Sequence, residues 1–308
     1  SLIPYRKFII FNDMDIQKFI KDNNLERFPI GIAGCKISDD HFDSCNYDVI
    51  VFDDSPDLNT IVQNGDESVI IHHASLSETQ SKKLLQYQNL QIIQDESWNL
   101  QMLLSKINQK KSDLFVDFAR NSLIESLFCC QKTRDAIQNS NMFAACWQKC
   151  ASLYLIEAIL SLNQIRLSPS HMLNHMSKFE KNPNYEHISV ALDVLGLERS
   201  TPTLLERMVK STIGFSNFVN KHDKFDEIIY KKYNFFVENS MLSDCYFYLC
   251  YVNKENFTQI KSTLDKNPDL IHILKIAFDT ESDSNLLLEQ ADLVSKSSFT
   301  ILDILSKN

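Results

Sequence analysis

The sequence contains little glycine and proline, with 5 Gly and 7 Pro among its 308 residues. All-β proteins need many turns, and turns draw heavily on both residue types, so this composition argues against an all-β fold. No apolar run reaches the ~18 residues that a membrane-spanning helix requires, and we expect no membrane partner. The N-terminal sequence SLIPYRKFIIF also lacks the long apolar region and the small-residue cleavage site of a signal peptide.

The cysteine pattern and the net charge indicate the redox environment of the protein and the partners to expect. The eight cysteines lie mostly within apolar helical patterns, as Cys146 and Cys150 do, and their spacings do not match a zinc knuckle. We therefore expect a reduced, cytoplasmic protein with buried free thiols. The net charge of −9 counts against a nucleic-acid partner, because broad binding to nucleic acid needs clustered Lys and Arg.

The character of the sequence changes near residue 110. Before this point, short apolar runs over 28–33, 48–52, 69–73 and 90–94 predict strands, and amphipathic segments between them predict helices. After it, apolar residues recur at three- and four-residue spacing and predict one helix after another, including a helix over 224–252. The prediction is an α+β protein with a mixed α/β domain over 1–110 and an all-α helical-bundle domain over 111–308.

Several residues mark the expected ends of helices. Ser168 followed by Pro169 predicts a helix start, because the hydroxyl suits the N-cap and proline suits the first helical position. Thr203 and Glu206 have the spacing of a capping box. Gly196 is placed to end the helix before it.

One stretch has a specific chemical rationale. Gly34 and Cys35 follow a predicted strand, and after ten further residues Asn46 and Asp48 begin the next strand. A glycine allows phosphates to approach the backbone closely. Side chains two apart on a strand project to the same face, so Asn46 and Asp48 can both reach one metal centre. Divalent ions held by such groups stabilise the charge on the attacking and leaving oxygens of phosphoryl transfer.

This stretch resembles the signature of the polymerase-β-like nucleotidyltransferases. Members of that superfamily carry Gly-Ser or Gly-Gly, then about ten residues, then two acidic residues separated by one residue and followed by an apolar strand. Here Cys35 stands in place of Ser or Gly, and Asn46 in place of the first carboxylate. The resemblance implies that Gly34 and Cys35 face the phosphates of a nucleoside triphosphate (NTP), and that Asp48 and Asn46 hold Mg²⁺ and serve as catalytic residues.

A second stretch resembles a subgroup of the same superfamily. An apolar helix over 157–163 ends in Leu-Asn, and a Pro-started helix follows after 166. This pattern is similar to the helical domain that follows the catalytic domain in kanamycin-type and related small-molecule nucleotidyltransferases. The resemblance implies a nucleotidyltransferase-like α/β domain followed by a helical C-terminal domain.

The active-site signature is degenerate, and two functions stay open. Asn46 presents a neutral oxygen, and the loss of one charge costs on the order of a few kcal/mol of metal attraction. Glu67 is the candidate for the third acid of the superfamily, and Asp95 fits less well because it follows the end of its strand. An active protein would transfer a nucleoside monophosphate from an NTP to a small-molecule or protein hydroxyl with Mg²⁺. The alternative is a catalytically inactive homologue that binds nucleotide or a protein partner.

The remaining polar pairs have simpler interpretations. His171 and His175 have the i, i+4 spacing of a shared metal site, but the sequence supplies no evident third ligand. Arg166 with His171 resembles the Arg-x4-His pattern of the HEPN ribonucleases, although the same stretch is explained as a helix start. His72 and His73 are adjacent, so on a strand at most one of them faces the nucleotide site.

Overall fold

The computed structural model describes residues 15–55, 59–64, 67–166, 168–177, 185–220 and 225–307, so the N-terminal sequence discussed above lies outside it. Five strands form one sheet: β1 (Ile30–Ala33), β2 (Tyr47–Phe52), β3 (Asn59–Asn64), β4 (Glu67–Ala74) and β5 (Gln91–Gln94). Their order is β3-β4-β2-β1-β5. β2 and β4 are parallel, and the other neighbours are antiparallel.

Helices make up most of the other described residues, and the predicted α+β class is confirmed. Their bounds are α1 (Ile16–Asp22), α2 (Ser81–Leu84), α3 (Asn99–Gln109), α4 (Lys111–Gln138), α5 (Ala144–Leu162), α6 (Pro169–Met176), α7 (Tyr185–Leu195), α8 (Pro202–Val219), α9 (Asp226–Glu238), α10 (Leu242–Ile260), α11 (Ile271–Ala277) and α12 (Ser284–Lys307). The domain division near residue 110 stays a prediction.

The central strands are apolar on both faces because both faces are covered. On one face, Val49 and Val51 of β2 pack with Phe19 and Ile20 of α1. On the other face, Ile50 and Phe52 pack with a cluster from α3 and the turn before β5. A strand buried on both sides reads as a continuous apolar run, which is why the sequence predicts β1 and β2 well.

The edge strand β3 has no counterpart among the predicted strands. Its sequence Asn-Thr-Ile-Val-Gln-Asn is mostly polar, and it pairs only with β4 in the sheet order. Edge strands need no continuous apolar run, so hydrophobic patterning gives a weak signal for them.

The helical part of the chain is organised around α5. This helix is buried continuously from Ala144 to Ser161, and α4, α7, α10 and α12 pack against it. In the residues that the structure describes, no helix is long and apolar enough to cross a membrane.

The helix ends follow the expected residues in part. Ser168 and Pro169 begin α6 as predicted, although the Ser168 side chain makes no capping hydrogen bond. Gly196 ends α7 in the left-handed region, with φ +73°. The predicted capping box at Thr203 is wrong, because the N-cap of α8 is Thr201, whose hydroxyl accepts from the Leu204 N–H at 3.3 Å.

The prediction of a single helix over 224–252 is also wrong. The structure describes this segment from residue 225 onward. Two helices, α9 and α10, occupy this region. The turn between them contains Ser240 at φ +60°, a left-handed conformation that interrupts a helix. The apolar pattern continues across the turn because α9 buries one face and α10 is buried on all sides from Cys245 to Tyr251.

A buried ion pair joins α10 to α5. Lys254 is fully buried, and its Nζ lies 2.9 Å from Glu157 Oε1 and 2.7 Å from Glu255 Oε1. The rings of Tyr154 and Tyr251 lie 4.3 and 4.5 Å from the same nitrogen. Burial by itself would lower the pKa of Lys254, but the two carboxylates outweigh it and raise that pKa well above its usual value. The lysine is therefore charged in the folded protein.

We predict that Lys254→Met lowers the free energy of unfolding by about 3–5 kcal/mol, because it leaves the Glu157 carboxylate buried and unpaired. Lys82→Met is the matched control. Lys82 pairs with Glu255 at 3.1 Å, but both side chains are about 40% exposed, at 41% and 38%, so its loss should stay within about 1 kcal/mol. Urea denaturation measures both changes, and equal losses would contradict the prediction. Adding Glu157→Gln to Lys254→Met should recover part of the loss.

Candidate functional site

The candidate site lies where β1 ends and β2 begins. Gly34 follows β1 directly with φ +93°, and a 3₁₀ turn (Cys35–Ile37) leads into the loop that returns to Asn46. β1 and β2 are antiparallel neighbours with Ala33 opposite Asp48. This register brings Gly34 beside the Asp48 side chain, at the end of the sheet where β2 starts.

Position 34 requires glycine for two reasons. Its positive φ is a conformation that residues with a Cβ rarely adopt. In addition, a Cβ built at Gly34 would lie 2.2 Å from Asp48 Oδ2. The missing side chain therefore makes room for the Asp48 carboxylate, whereas the sequence suggested that it makes room for a phosphate.

Four polar side chains form a connected cluster at this end of the sheet: Asn46, Asp48, Asn59 and His72. Asn46 and Asp48 project to the same side as expected for residues two apart, and Asn46 Nδ2 donates to Asp48 Oδ1 at 3.0 Å. His72 Nε2, on the neighbouring strand β4, lies 3.0 Å from the same oxygen. Its other nitrogen, Nδ1, lies 2.9 Å from Asn59 Oδ1 on β3. The imidazole therefore lies between a carboxylate oxygen and an amide oxygen.

The two adjacent histidines face opposite sides, as strand alternation predicts. His72 contacts Asp48, whereas His73 Nδ1 lies 2.8 Å from Asp53 Oδ2. Only His72 therefore belongs to the candidate site.

Glu67, the predicted third acid, does not join this cluster. It occupies an odd-numbered position of β4, on the face opposite to His72, where it pairs with Lys36 at 2.8 Å. Lys231 of α9 lies 3.7 Å from its other oxygen. The alternation of the strand thus directs Glu67 to two lysines and away from Asp48.

The alternative acid, Asp95, lies at the wrong end of the sheet. It follows β5, whose last residue Gln94 pairs with Ile30, and Ile30 pairs in turn with Val51 at the far end of β2. Its carboxylate accepts from the Gln101 N–H at 2.9 Å. Asp95 therefore caps α3 at the end of the sheet opposite Asp48.

Cys35 turns away from Asp48 and toward the helical part of the chain. Its sulfur belongs to a cluster with Cys45 and His171, in which the three donor atoms lie within 4.8 Å of one another. Hydrogen bonding with Cys45, followed by burial, raises the pKa of Cys35, and the same hydrogen bond lowers the pKa of Cys45 to about 7. The structure therefore places Cys35 against a thiol and an imidazole, where the sequence suggested phosphate contact.

The other sequence-based pairs are separated. His171 lies in the cysteine cluster, whereas His175 Nε2 lies 3.2 Å from Asp40 Oδ2. Arg166 stacks its guanidinium over the Phe118 ring at 5.1 Å. The two histidines thus have different partners.

The chemistry of the donor set limits what the site can hold. Mg²⁺ takes oxygen ligands and is commonly bound by one or two carboxylates together with substrate phosphates. Among the described residues, Asp48 supplies the single carboxylate of the cluster, and Asn46 adds an amide. These residues fit one Mg²⁺ bound together with phosphate oxygens. They do not fit the pair of ions ~3.5–4 Å apart that two-metal phosphoryl transfer uses.

Asn59 and Cys45 were not recognised as site residues from the sequence. Asn59 reaches His72 only through the pairing of β3 with β4, and β3 carries too little apolar patterning to be predicted. Cys45 directly precedes Asn46, but its contact with His171 spans 126 residues. No local spacing encodes a contact of that length.

No protein-family model matches the chain, and no curated protein matches it significantly. Among solved structures, it is similar to a nucleotidyltransferase-like protein from Exiguobacterium sibiricum 255-15, with 12% sequence identity and a TM-score of 0.34. That match covers 81% of this chain and 87% of the other. A TM-score this low carries no inference about this protein, so the site is interpreted from its own geometry.

We predict that Gly34→Ala destabilises the protein by at least about 1–3 kcal/mol, because an alanine would be strained at this φ and would clash with Asp48 Oδ2. Adding Asp48→Ala should remove the clash and restore part of the loss. Thermal and urea unfolding of the single and double variants measure both effects.

Gly214→Ala provides the control for this prediction. Gly214 lies in the interior of α8, and a Cβ there meets nothing within 4 Å. Alanine should therefore stabilise the protein by about 0.5–1 kcal/mol. A Gly34→Ala variant as stable as the original protein would contradict the geometry described here.

Proposed function

We propose that this protein is a nucleotidyltransferase-like protein that binds an NTP through one Mg²⁺ and does not transfer the nucleotidyl group. The observation that carries the proposal is the single carboxylate, Asp48, beside Gly34 at the end of the central strands. This is the catalytically inactive alternative that the degenerate sequence signature left open.

The arrangement of the motif supports nucleotide binding. Gly34 is exposed and stands at the mouth of the loop, so its backbone is open to a phosphate. Asp48 is partly exposed, at 26% of its side chain, and can reach a metal ion in the same opening. Asn46 Nδ2 fixes the position of the carboxylate from the other side. Asp48 and Asn46 would hold Mg²⁺, which would supply positive charge to neutralise the phosphates.

The missing charge argues against transfer. Two divalent ions bring four positive charges, and the cluster offers one carboxylate and the imidazole of His72, which adds no negative charge. A second ion would therefore be bound without a second carboxylate, at a cost on the order of a few kcal/mol. With one ion, the attacking and the leaving oxygens would not both have a metal to stabilise their charge.

A second candidate function is transfer to a small-molecule or protein hydroxyl, and one observation favours it. A cavity of about 600 Å³ opens between the segment that contains α2 and helices α4 and α5, and Glu157 and Tyr154 are among its lining residues. Its volume suits a small molecule. A carboxylate in this cavity could activate an acceptor hydroxyl, although Glu157 is already paired with Lys254.

Calorimetry with each of the four NTPs and Mg²⁺ tests nucleotide binding. We expect Asp48→Asn to weaken Mg²⁺-dependent binding at least about tenfold, because the lost carboxylate–cation attraction exceeds the 1.4 kcal/mol that a tenfold change requires. Asn46→Asp should strengthen it by restoring a charge. Asp43→Asn is the matched control: Asp43 is exposed in the same loop, and the substitution should change nothing.

A pyrophosphate-release assay separates the two candidate functions. We expect no release from the original protein with any NTP and hydroxyl acceptor, because the described cluster has no second carboxylate to hold a second ion. Sustained release that Asp48→Asn abolishes would establish transfer and overturn the inactive interpretation. No heat with any NTP would overturn nucleotide binding itself.

A further inference from the structure

A cluster of soft donor atoms lies between the α/β part of the chain and the helical part. Cys35 stands in the 3₁₀ turn after β1, and Cys45 stands two residues before β2, so the two cysteines close the loop over 35–45. His171 comes from α6. The Sγ atom of Cys45 lies 3.3 Å from His171 Nε2, and all three donor atoms lie within 4.8 Å of one another.

These distances suit a tetrahedral metal ion. Bond lengths of ~2.3 Å for Zn–S and ~2.0 Å for Zn–N place two sulfurs ~3.8 Å apart and a sulfur and a nitrogen ~3.5 Å apart around a tetrahedron. The 3.3 Å between Cys45 Sγ and His171 Nε2 is close to the sulfur–nitrogen distance expected around such an ion. The 4.8 Å limit for the whole cluster means that small side-chain movements bring the three donors onto one centre.

The surroundings hold the donors in place. The ring of Phe42 stacks on His171 with centroids 4.1 Å apart, and it stacks in turn on Phe235 of α9 at 5.1 Å. The Phe42 N–H donates to Cys45 Sγ at 3.4 Å. Cys45 and His171 are buried, whereas Cys35 is only partly buried, which leaves a route for an ion to enter.

A buried lysine brings a positive charge close to the cysteine cluster. Lys232 Nζ donates to the Ser170 hydroxyl at 3.3 Å and lies 5.9 Å from the centre of the Tyr248 ring. Among the described residues it has no carboxylate within ion-pair distance. Its ammonium contacts the residue that precedes His171, so it opposes the negative charge that two metal-bound thiolates bring to the cluster.

We propose that Cys35, Cys45 and His171 bind one thiophilic divalent ion of the zinc class, with a solvent molecule as its fourth ligand. Two thiolates and an imidazole select Zn²⁺ over Mg²⁺, which prefers oxygen ligands. The ion would fasten the loop over 35–45 to α6. This proposal does not depend on nucleotide binding, because it uses none of the groups around Asp48.

Metal titration of the full chain, reduced and stripped with a chelator, tests the proposal. We expect one Zn²⁺ per chain, measured by equilibrium dialysis, and a Co²⁺ derivative with thiolate charge-transfer absorption and the d–d bands of tetrahedral Co²⁺. Cys45→Ala and His171→Gln should each weaken binding by about 100-fold or more, since even changes outside the ligand set cost about 10–100-fold. Cys35→Ala, at a partly buried turn position, should do the same if either of those variants fails to fold.

Cys146→Ala is the matched control, because Cys146 is a buried thiol in α5 outside the cluster. It should bind zinc as the original protein does. Zinc should also raise the melting temperature of the original protein and of this control, but not that of Cys45→Ala.

Two results would overturn the proposal. One is less than stoichiometric zinc on the folded, reduced protein. The other is zinc binding by Cys45→Ala that equals the original. A Cys35–Cys45 disulfide, detected by mass as the loss of two hydrogens, together with a reduced protein that takes up no zinc, would assign the cluster to redox chemistry instead.

Discussion

The antiparallel register of β1 and β2 is the constraint on which both polar clusters depend. It places Ala33 opposite Asp48, so the loop over 35–45 leaves and re-enters the sheet at neighbouring points. At each end of that loop, consecutive residues diverge: Gly34 and Asn46 meet the Asp48 side chain, whereas Cys35 and Cys45 turn toward α6. A shift of the register by one residue would exchange the two faces of β2 and separate both groups of side chains.

Charge distinguishes the two clusters. Around Asp48, one carboxylate is surrounded by amides and an imidazole, and hard oxygen donors are few. Around Cys45, two sulfurs and an imidazole lie near the buried ammonium of Lys232. Glu67, whose carboxylate could have enriched the first cluster, is held by Lys36 and Lys231 on the other face of the sheet. The sheet therefore separates hard ligands from soft ones within a few residues of sequence.

Sequence patterns predicted the features that depend on local spacing. The strands buried on both faces, the i, i+2 relation of Asn46 and Asp48, and the helix ends at Ser168 and Gly196 follow from residue type and short-range periodicity. The edge strand β3 was not predicted because its sequence is polar. The break between α9 and α10 was not predicted because the apolar pattern runs across it. Which face of the sheet Glu67 occupies depends on the register in which β4 pairs with β2. The contact of Cys45 with His171 depends on how the helices pack against the sheet. Neither leaves a short-range signal.

The two adjacent lysines of α9 contact the sheet on one side and the surroundings of the cysteine cluster on the other. Lys231 reaches Glu67 on β4, and Lys232 lies by Ser170 and the cysteine cluster. Successive residues of an α-helix point about 100° apart, so these two contacts hold α9 from two directions. A rotation of α9 about its axis that released one lysine would also displace the other. The helix therefore has one orientation in which both contacts form.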